Sequence, residues 1–307
     1  MTEGLTVGIG TRDRPDSLVR CLRSLREIGA ALAGVIVVDD GSEPPLEPGV
    51  RAALGEDAPP GLRFIRVERS RGVSAGRNTI AREARTEWVL NLDDDTVVVS
   101  GDGVRDALGV MRADPRVGVV ALAQADAAGE AWPHGQPAPV AVPSYVAAFI
   151  GFAHLVRRSA FLGVGGFQER LGINGEEKEL SLRLWDAGWT VVYLPHARVA
   201  HLADPGGRDP RRYLHQVVRN DVLASVLNLP LPLAAAGAAV RLLRYFPMRR
   251  GWKIDDPGGF ARVVRALAGE LPGALRERKP VKLSTLRKWR ALVRRPPPYT
   301  GPSGEAP

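Results

Sequence analysis

Two rhythms of apolar and polar positions alternate through the first 125 residues. Short continuous apolar runs at Leu5 to Gly10, Val35 to Val38, Leu62 to Val67, Trp88 to Leu92 and Val117 to Ala123 predict strands. Between them the apolar residues fall at helical spacing. Asp16 to Ile28 places Leu18, Leu22 and Leu25 on one face, with Asp16 or Ser17 suited to the cap, and Val73 to Ala84 and Gly103 to Met111 read as further helices. Strand–helix alternation with short links predicts a mainly parallel sheet covered on both faces. The pattern then changes. Residues 126–143 are rich in Ala, Gly and Pro and predict an irregular excursion, while Tyr145 to Val156 could supply strands. Glu176 to Ala187 predicts a helix stopped by Gly188, and Val191 to Leu194 another strand. From Asp209 onward the spacing is helical: Pro210 to Leu227, Leu231 to Tyr245, Gly259 to Arg278, where Pro272 is expected to interrupt, and Ser284 to Arg294. Pro296 to Pro307 is Pro- and Gly-rich and expected to be disordered.

Composition narrows the class. The chain has 307 residues, 45% hydrophobic and 25% charged, an ordinary globular balance. Cys21 is alone, which excludes an internal disulfide framework and a cysteine zinc site and favours a reducing, cytoplasmic setting. No signal peptide is expected from residues 1–10. Leu229 to Val240 is the longest apolar stretch, and it falls short of the roughly 20 residues a membrane span needs. The net charge of +8 is unevenly placed: from Pro230 onward 16 Lys and Arg face 5 Asp and Glu. Arg241, Arg244, Arg249, Arg250 and Lys253 gather around Tyr245, Phe246 and Trp252. This basic region fits peripheral contact with the inner face of a cell membrane, packing onto the rest of the chain, or one wall of a pocket for a soluble ligand.

The chemistry sits where strands end. Asp39-Asp40-Gly41-Ser42 follows the second strand and Asp93-Asp94-Asp95 the fourth. Open α/β sheets bind ligands at the carboxyl ends of their strands. Five carboxylates around one crevice are costly without a counter-charge, and a divalent cation such as Mg²⁺ or Mn²⁺ is the natural one. Other nucleotide motifs are missing. Gly8-Ile9-Gly10 lacks the third glycine of a dinucleotide fingerprint, and no glycine-rich loop ends in Gly-Lys-Ser or Gly-Lys-Thr.

Five ordered pieces carry a resemblance: Val7 to Arg14, Val37 to Ser42, Arg71 to Asn78, Leu92 to Asp95, and Val164 to Phe167 running on through Gly175–Trp189 to His201. Together, over roughly residues 4 to 228, they resemble a family 2 glycosyltransferase of GT-A fold. The resemblance implies an α/β, GT-A-like, mainly parallel sheet flanked by helices, with an appended helical C-terminal region. It places Thr11 and Arg14 at the nucleotide, Asp39 and Asp40 at base and ribose, and Arg77 and Asn78 beside ribose and pyrophosphate. Asp93 and Asp95 match an Asp-x-Asp motif around Asp94, Asp95 being the better metal ligand, and His201 matches a histidine that completes the metal shell. The family's Glu-Asp-x-Asp-Leu is here Glu176-Glu177-Lys178-Glu179-Leu180. Glu177 stands where the catalytic base is expected, but one added methylene leaves open whether Glu176 has taken the role. Glu179 and Arg183 are spaced for an ion pair, and Trp185 and Trp189 for packing or for stacking on an acceptor. Arg219-Asn220 resembles a family feature, an Arg-Asn on the helix after the metal histidine, and the resemblance implies a contact to phosphate.

The resulting expectation has residues 1–228 as catalytic domain, 229–295 as basic helical region and 296–307 as a disordered tail. It is a metal-dependent, inverting transfer of a sugar from a UDP-, GDP- or dTDP-sugar to a hydroxyl of a glycan, a lipid-linked glycan or a small molecule, with no nucleic-acid partner. A non-catalytic nucleotide-sugar or glycan-binding protein on the same fold is the alternative. A sugar-nucleotide pyrophosphorylase ranks last, because Thr11 to Pro15 lacks the glycines its loop requires.

Overall fold

A computed structural model describes residues 4–202, 209–304 and 306–307. The expected strands form. β1 (Leu5–Thr11), β2 (Leu32–Asp40), β3 (Leu62–Val67) and β4 (Trp88–Asp93) pair in parallel in the order β3-β2-β1-β4. They are joined by α1 (Pro15–Ser24), α2 (Leu46–Leu54) and α3 (Val73–Glu83). Val7, Ile9, Val35, Val37, Val89 and Leu90 are wholly buried, as a covered parallel sheet requires. Beyond β4 the sheet is mixed. β5 (Thr96–Val97), α4 (Asp102–Ala113) and β6 (Val117–Ala125) precede the 126–143 excursion, which is irregular as expected. β7 (Ser144–Tyr145) and β8 (Ala153–Arg157) follow it. β8 inserts antiparallel between β4 and β6, because a loop rather than a crossover helix delivers it. After α5 (Arg158–Gly163) and α6 (Glu176–Asp186), the long β9 (Thr190–His201) runs parallel to β6 and antiparallel to β5 and β7.

The helical region is α7 (Pro210–Asn228), α8 (Leu231–Leu243), α9 (Tyr245–Gly251), α10 (Gly259–Arg276) and α11 (Leu283–Arg294). Its layout differs from the expected division at residue 229. Leu214, Val218, Leu223 and Leu227 of α7 share a second core with Tyr245, Val263, Leu267 and Ala274, so α7 belongs with the helices that follow it. α10 runs unbroken through Pro272, since Val263, Leu267 and Ala274 anchor both halves in that core. α11 returns to the sheet domain, with Leu292 in the main core and Thr285 bonded to Asp186 at 2.6 Å. Residues 296–304 pack rather than run free. Tyr145 N–H donates to Pro297 O at 2.9 Å, the Tyr299 ring meets Tyr145 edge-on at 5.4 Å, and Arg116 donates to the carbonyls of Gly301, Pro302 and Gly304.

Candidate active site

The parallel register delivers the acids to one edge. Asp93 lies opposite Gly10 in the β1–β4 pair, and Asp39 opposite Thr11 in the β1–β2 pair. The antiparallel β5–β9 pair sets His201 against Thr96, and Leu202 N–H donates to Asp95 O at 2.8 Å. A residue more than a hundred positions downstream thus meets the acidic triplet. One ligand atom each from Asp93, Asp95 and His201 lie within 4.8 Å of one another. His201 Nε2 is 3.2 Å from Asp95 Oδ1, and its ring stacks on Phe152 at 5.3 Å. That Oδ1 is buried with no hydrogen-bond partner, while the other oxygen of Asp95 accepts from Arg14 at 3.1 Å. Burial alone would push the Asp95 carboxyl up, but His201 and Arg14 hold it below its ordinary range. Two carboxylates and an imidazole, one oxygen left over, fit a divalent cation of the Mg²⁺ or Mn²⁺ kind.

Asp94 lines the same cavity and is held by other partners. It accepts from Thr11 Oγ1 at 2.7 Å and Arg14 Nη1 at 2.6 Å, and burial raises its carboxyl to about 6 against the pull of both partners. Thr11 and Arg14 therefore meet the triplet itself. Beneath it the thiol of Cys21 lies 3.7 Å from Asp93 O, and burial raises it to about 12, so it is inert.

The cavity over the triplet has a volume of about 940 Å³. Asp40 lines it, with its carboxylate accepting from Ser70 Oγ and the N–H groups of Arg71 and Gly72. Asp39, expected at the same ligand, is buried and turned away. It accepts from Ser42 N–H, Leu46 N–H and Arg66, which closes the loop, starts α2 and holds the carboxyl below its ordinary range despite burial. Arg77 lines the cavity and is anchored through Nη2, which donates to Asp93 Oδ1 and to Gly151 O, both at 2.8 Å, while its buried Nη1 has no hydrogen-bond partner among the described residues. Asn78 does not line it. Its amide grips the backbone of Phe167 in both directions and reaches Glu169 at 3.1 Å, clamping the loop before α6.

The two adjacent glutamates separate. Glu176 is buried at 1% exposure, 3.6 Å from Arg77 Nη1, and burial with the neighbouring charge of Glu177 raises its carboxyl well above the ordinary range. Glu177 is half-buried and opens into the cavity. Gly175, at φ 89°, turns the chain into α6 directly before them. Glu179 and Arg183 form the expected pair, with Nε to Oε1 at 2.7 Å, and Trp185 is a core residue donating to Val146 O. Within the Arg219-Asn220 pair, Asn220 Nδ2 lies 2.8 Å from the carbonyls of Leu171, Ile173 and Asn174, and Arg219 donates to Arg170 O and to Glu270 of α10. The pair thereby ties α7 to the loop that carries the glutamates. The far wall comes from the helical region, with Tyr213, Met248 and Trp252, the two aromatic rings 5.6 Å apart and tilted by 33°.

Sequence reasoning missed Gly151 and His154. A Cβ on Gly151 would lie 2.4 Å from Glu177 Oε1 and 2.9 Å from Arg77 Nη1. The signal available was a glycine inside the apolar run Phe149 to Phe152, which marks a close approach. His154 is buried, held well below its ordinary pKa by burial and by Arg77, and its Nδ1 lies 3.0 Å from Gly151 O.

Comparison with known proteins shows the family and the fold. The family model of glycosyl transferase family 2 matches residues 6–161, half of the chain, and the protein belongs to that family. It is 32% identical over 210 residues to the pre-mycofactocin glycosyltransferase of Mycobacterium tuberculosis, covering 64% of this chain and 42% of that relative. It is 51% identical over 65 residues to the N-acetylglucosaminyl-diphospho-decaprenol L-rhamnosyltransferase of the same organism, 21% of each chain. The chain thus spans less than half the length of the curated relatives it matches. Among solved structures it is similar to mannosyltransferase PcManGT from Pyrobaculum calidifontis in complex with GDP-Man and Mn²⁺, with a TM-score of 0.58 and 18% identity over 94% of this chain and 84% of that one. That likeness shows the GT-A fold.

Proposed function

We propose that the protein is a metal-dependent, inverting glycosyltransferase that moves a sugar from a nucleoside-diphosphate donor to an acceptor hydroxyl. The observation that carries this reading is the meeting of the Asp93/Asp95/His201 cluster and the open carboxylate of Glu177 in one cavity. Asp93, Asp95 and His201 would hold Mg²⁺ or Mn²⁺. When bound, the ion neutralises charge on the departing diphosphate. Arg14 and Thr11 hold Asp94 and Asp95 in place, and Arg77 fixes Asp93 from below. Asp40 sits on the rim between β2 and α3, where the nucleoside would lie. Glu177 takes the acceptor's proton as its oxygen attacks the anomeric carbon. Glu176 also lines the cavity but is 1% exposed and lies 3.6 Å from Arg77 Nη1, which favours a supporting role for it. The acceptor would enter between Glu177 and the wall built by Tyr213, Met248 and Trp252. A UDP-, GDP- or dTDP-sugar suits the donor side. Glycans, lipid-linked glycans and small molecules remain the acceptor classes. The single, buried Cys21 suits a reducing, cytoplasmic compartment.

Glu177→Gln separates the roles. Transfer, or donor hydrolysis by water, should fall by roughly 10²-fold or more while donor affinity in Mn²⁺ titration calorimetry persists. Asp95→Asn should instead remove the metal dependence of donor binding. Full turnover in Glu177→Gln together with loss in Glu176→Gln would move the base to Glu176. Donor binding by the wild type with no turnover on any acceptor would favour a non-catalytic binding protein.

A further inference from the structure

The outer face of α8 has no partner among the described residues. Leu231 to Val240 contains no polar side chain, yet Ala234 is the helix's one buried residue. Its inner face packs through Ala238 and Leu242 against the second core. The outward stripe Ala236, Val240 and Leu243 follows helical spacing and continues into Phe246 at the start of α9. Val240 is 62% exposed, Leu243 59% and Phe246 50%. Large apolar side chains exposed in a row mark a contact surface. The rim of this one is basic. No Asp or Glu occurs from residue 222 to 254, while Arg241, Arg244, Arg249, Arg250 and Lys253 do. Arg244 pairs with Asp221 at 3.1 Å and Arg249 approaches Asp255 at 3.7 Å; Arg250 and Lys253 are exposed and make no ion pair among the described residues.

We propose that this face docks on an anionic lipid bilayer, with α8 lying along the headgroup layer, Val240, Leu243 and Phe246 inserted, and Arg250 and Lys253 at the lipid phosphates. A helix of 13 residues is about 20 Å long, too short to cross the roughly 30 Å hydrocarbon core but suited to lying in its interface. Among the described residues no helix is long and apolar enough to cross a membrane. A two-fold contact with a second copy would set one basic rim against another, whereas an anionic surface complements it. The face also adjoins the cavity: α9 shows Phe246 outside, while Met248 and Trp252 around its end line the cavity wall. On the glycosyl-transfer reading, which this last step rests on, an acceptor held in the bilayer would enter beside Trp252.

Density-gradient flotation tests the surface without any turnover. The full chain should float with mixed phosphatidylglycerol–phosphatidylcholine vesicles at low salt, and less as salt rises, because exposed charges are screened over about 10 Å at 0.1 M. Val240→Ser/Leu243→Ser/Phe246→Ser should lower the partition coefficient by roughly tenfold or more in a chain still folded at the assay temperature, with some fall in Tm because Phe246 also packs on Phe260 and Tyr245. Arg250→Glu/Lys253→Glu should remove the preference for anionic vesicles. Absence of flotation at low salt, flotation undiminished in both variants, or a dimer by light scattering that the triple variant dissolves would each overturn the proposal. Donor hydrolysis measured without vesicles reports separately on the catalytic reading, so either can fail alone.

Discussion

Gly151 contributes through having no side chain. Its carbonyl takes hydrogen bonds from Arg77, at 2.8 Å, and from the neutral ring of His154, and its missing Cβ leaves the space that Glu177 Oε1 fills. Gly151→Ala should displace the Glu177 carboxylate by about an ångström, which costs roughly 10²-fold in rate when the group is a catalytic base. The expected outcome is a fall in kcat of that order or more, with a rise in donor KM to the extent that the crowded Arg77 loosens Asp93, read from initial rates alongside a thermal melt. The residues at strand ends were legible because the acids follow apolar runs and the pieces keep their order. Partners were not. Nothing local tells that Asp39 will turn inward to Leu46 and Arg66 while Asp40 faces the cavity. Nor does spacing separate Glu176 from Glu177; only burial against Arg77 does.

Asp256 joins three helices. It accepts from His215 of α7, from Tyr245 of α9 at 2.8 Å, and from Arg262 of α10. Burial would raise its carboxyl, but these three donors hold it below its ordinary value. A depressed acid stabilises the fold fully above its unfolded pKa, near 4, and loses that contribution as pH falls through the lower folded value. The advantage of wild type over Asp256→Asn in urea unfolding should therefore shrink below about pH 4. Elements with a strong period were readable, from β1 to α11. α2 was not, because Pro44, Pro45 and Pro48 mask a helix whose first N–H is capped by the distant Asp39. Pro272 misled in the opposite direction, since anchoring on both sides outweighs one lost hydrogen bond.

The whole molecule is two layers that share the cavity, the sheet supplying the acids and α7 and α9 the far wall. Residues 296–304 fasten to the sheet layer through Tyr145, Arg116 and Asp114. Truncation after Arg295 should cost about 1–3 kcal/mol by exposing Tyr145, a drop of roughly 2–5 °C in Tm at this size. A thermal melt of the shortened chain checks it, and an unchanged Tm would return the segment to the disordered tail that its composition suggests.

The same segment has a second consequence, for self-association. Pro298 bridges Ser144 on the side of β7 away from β9, so it lies along a sheet margin that would otherwise offer bare N–H and C=O groups. Such margins template pairing with other chains, and proline, having no N–H, covers one without creating another. The shortened chain should thus aggregate with concentration well below its melting temperature, while the full chain remains dispersed.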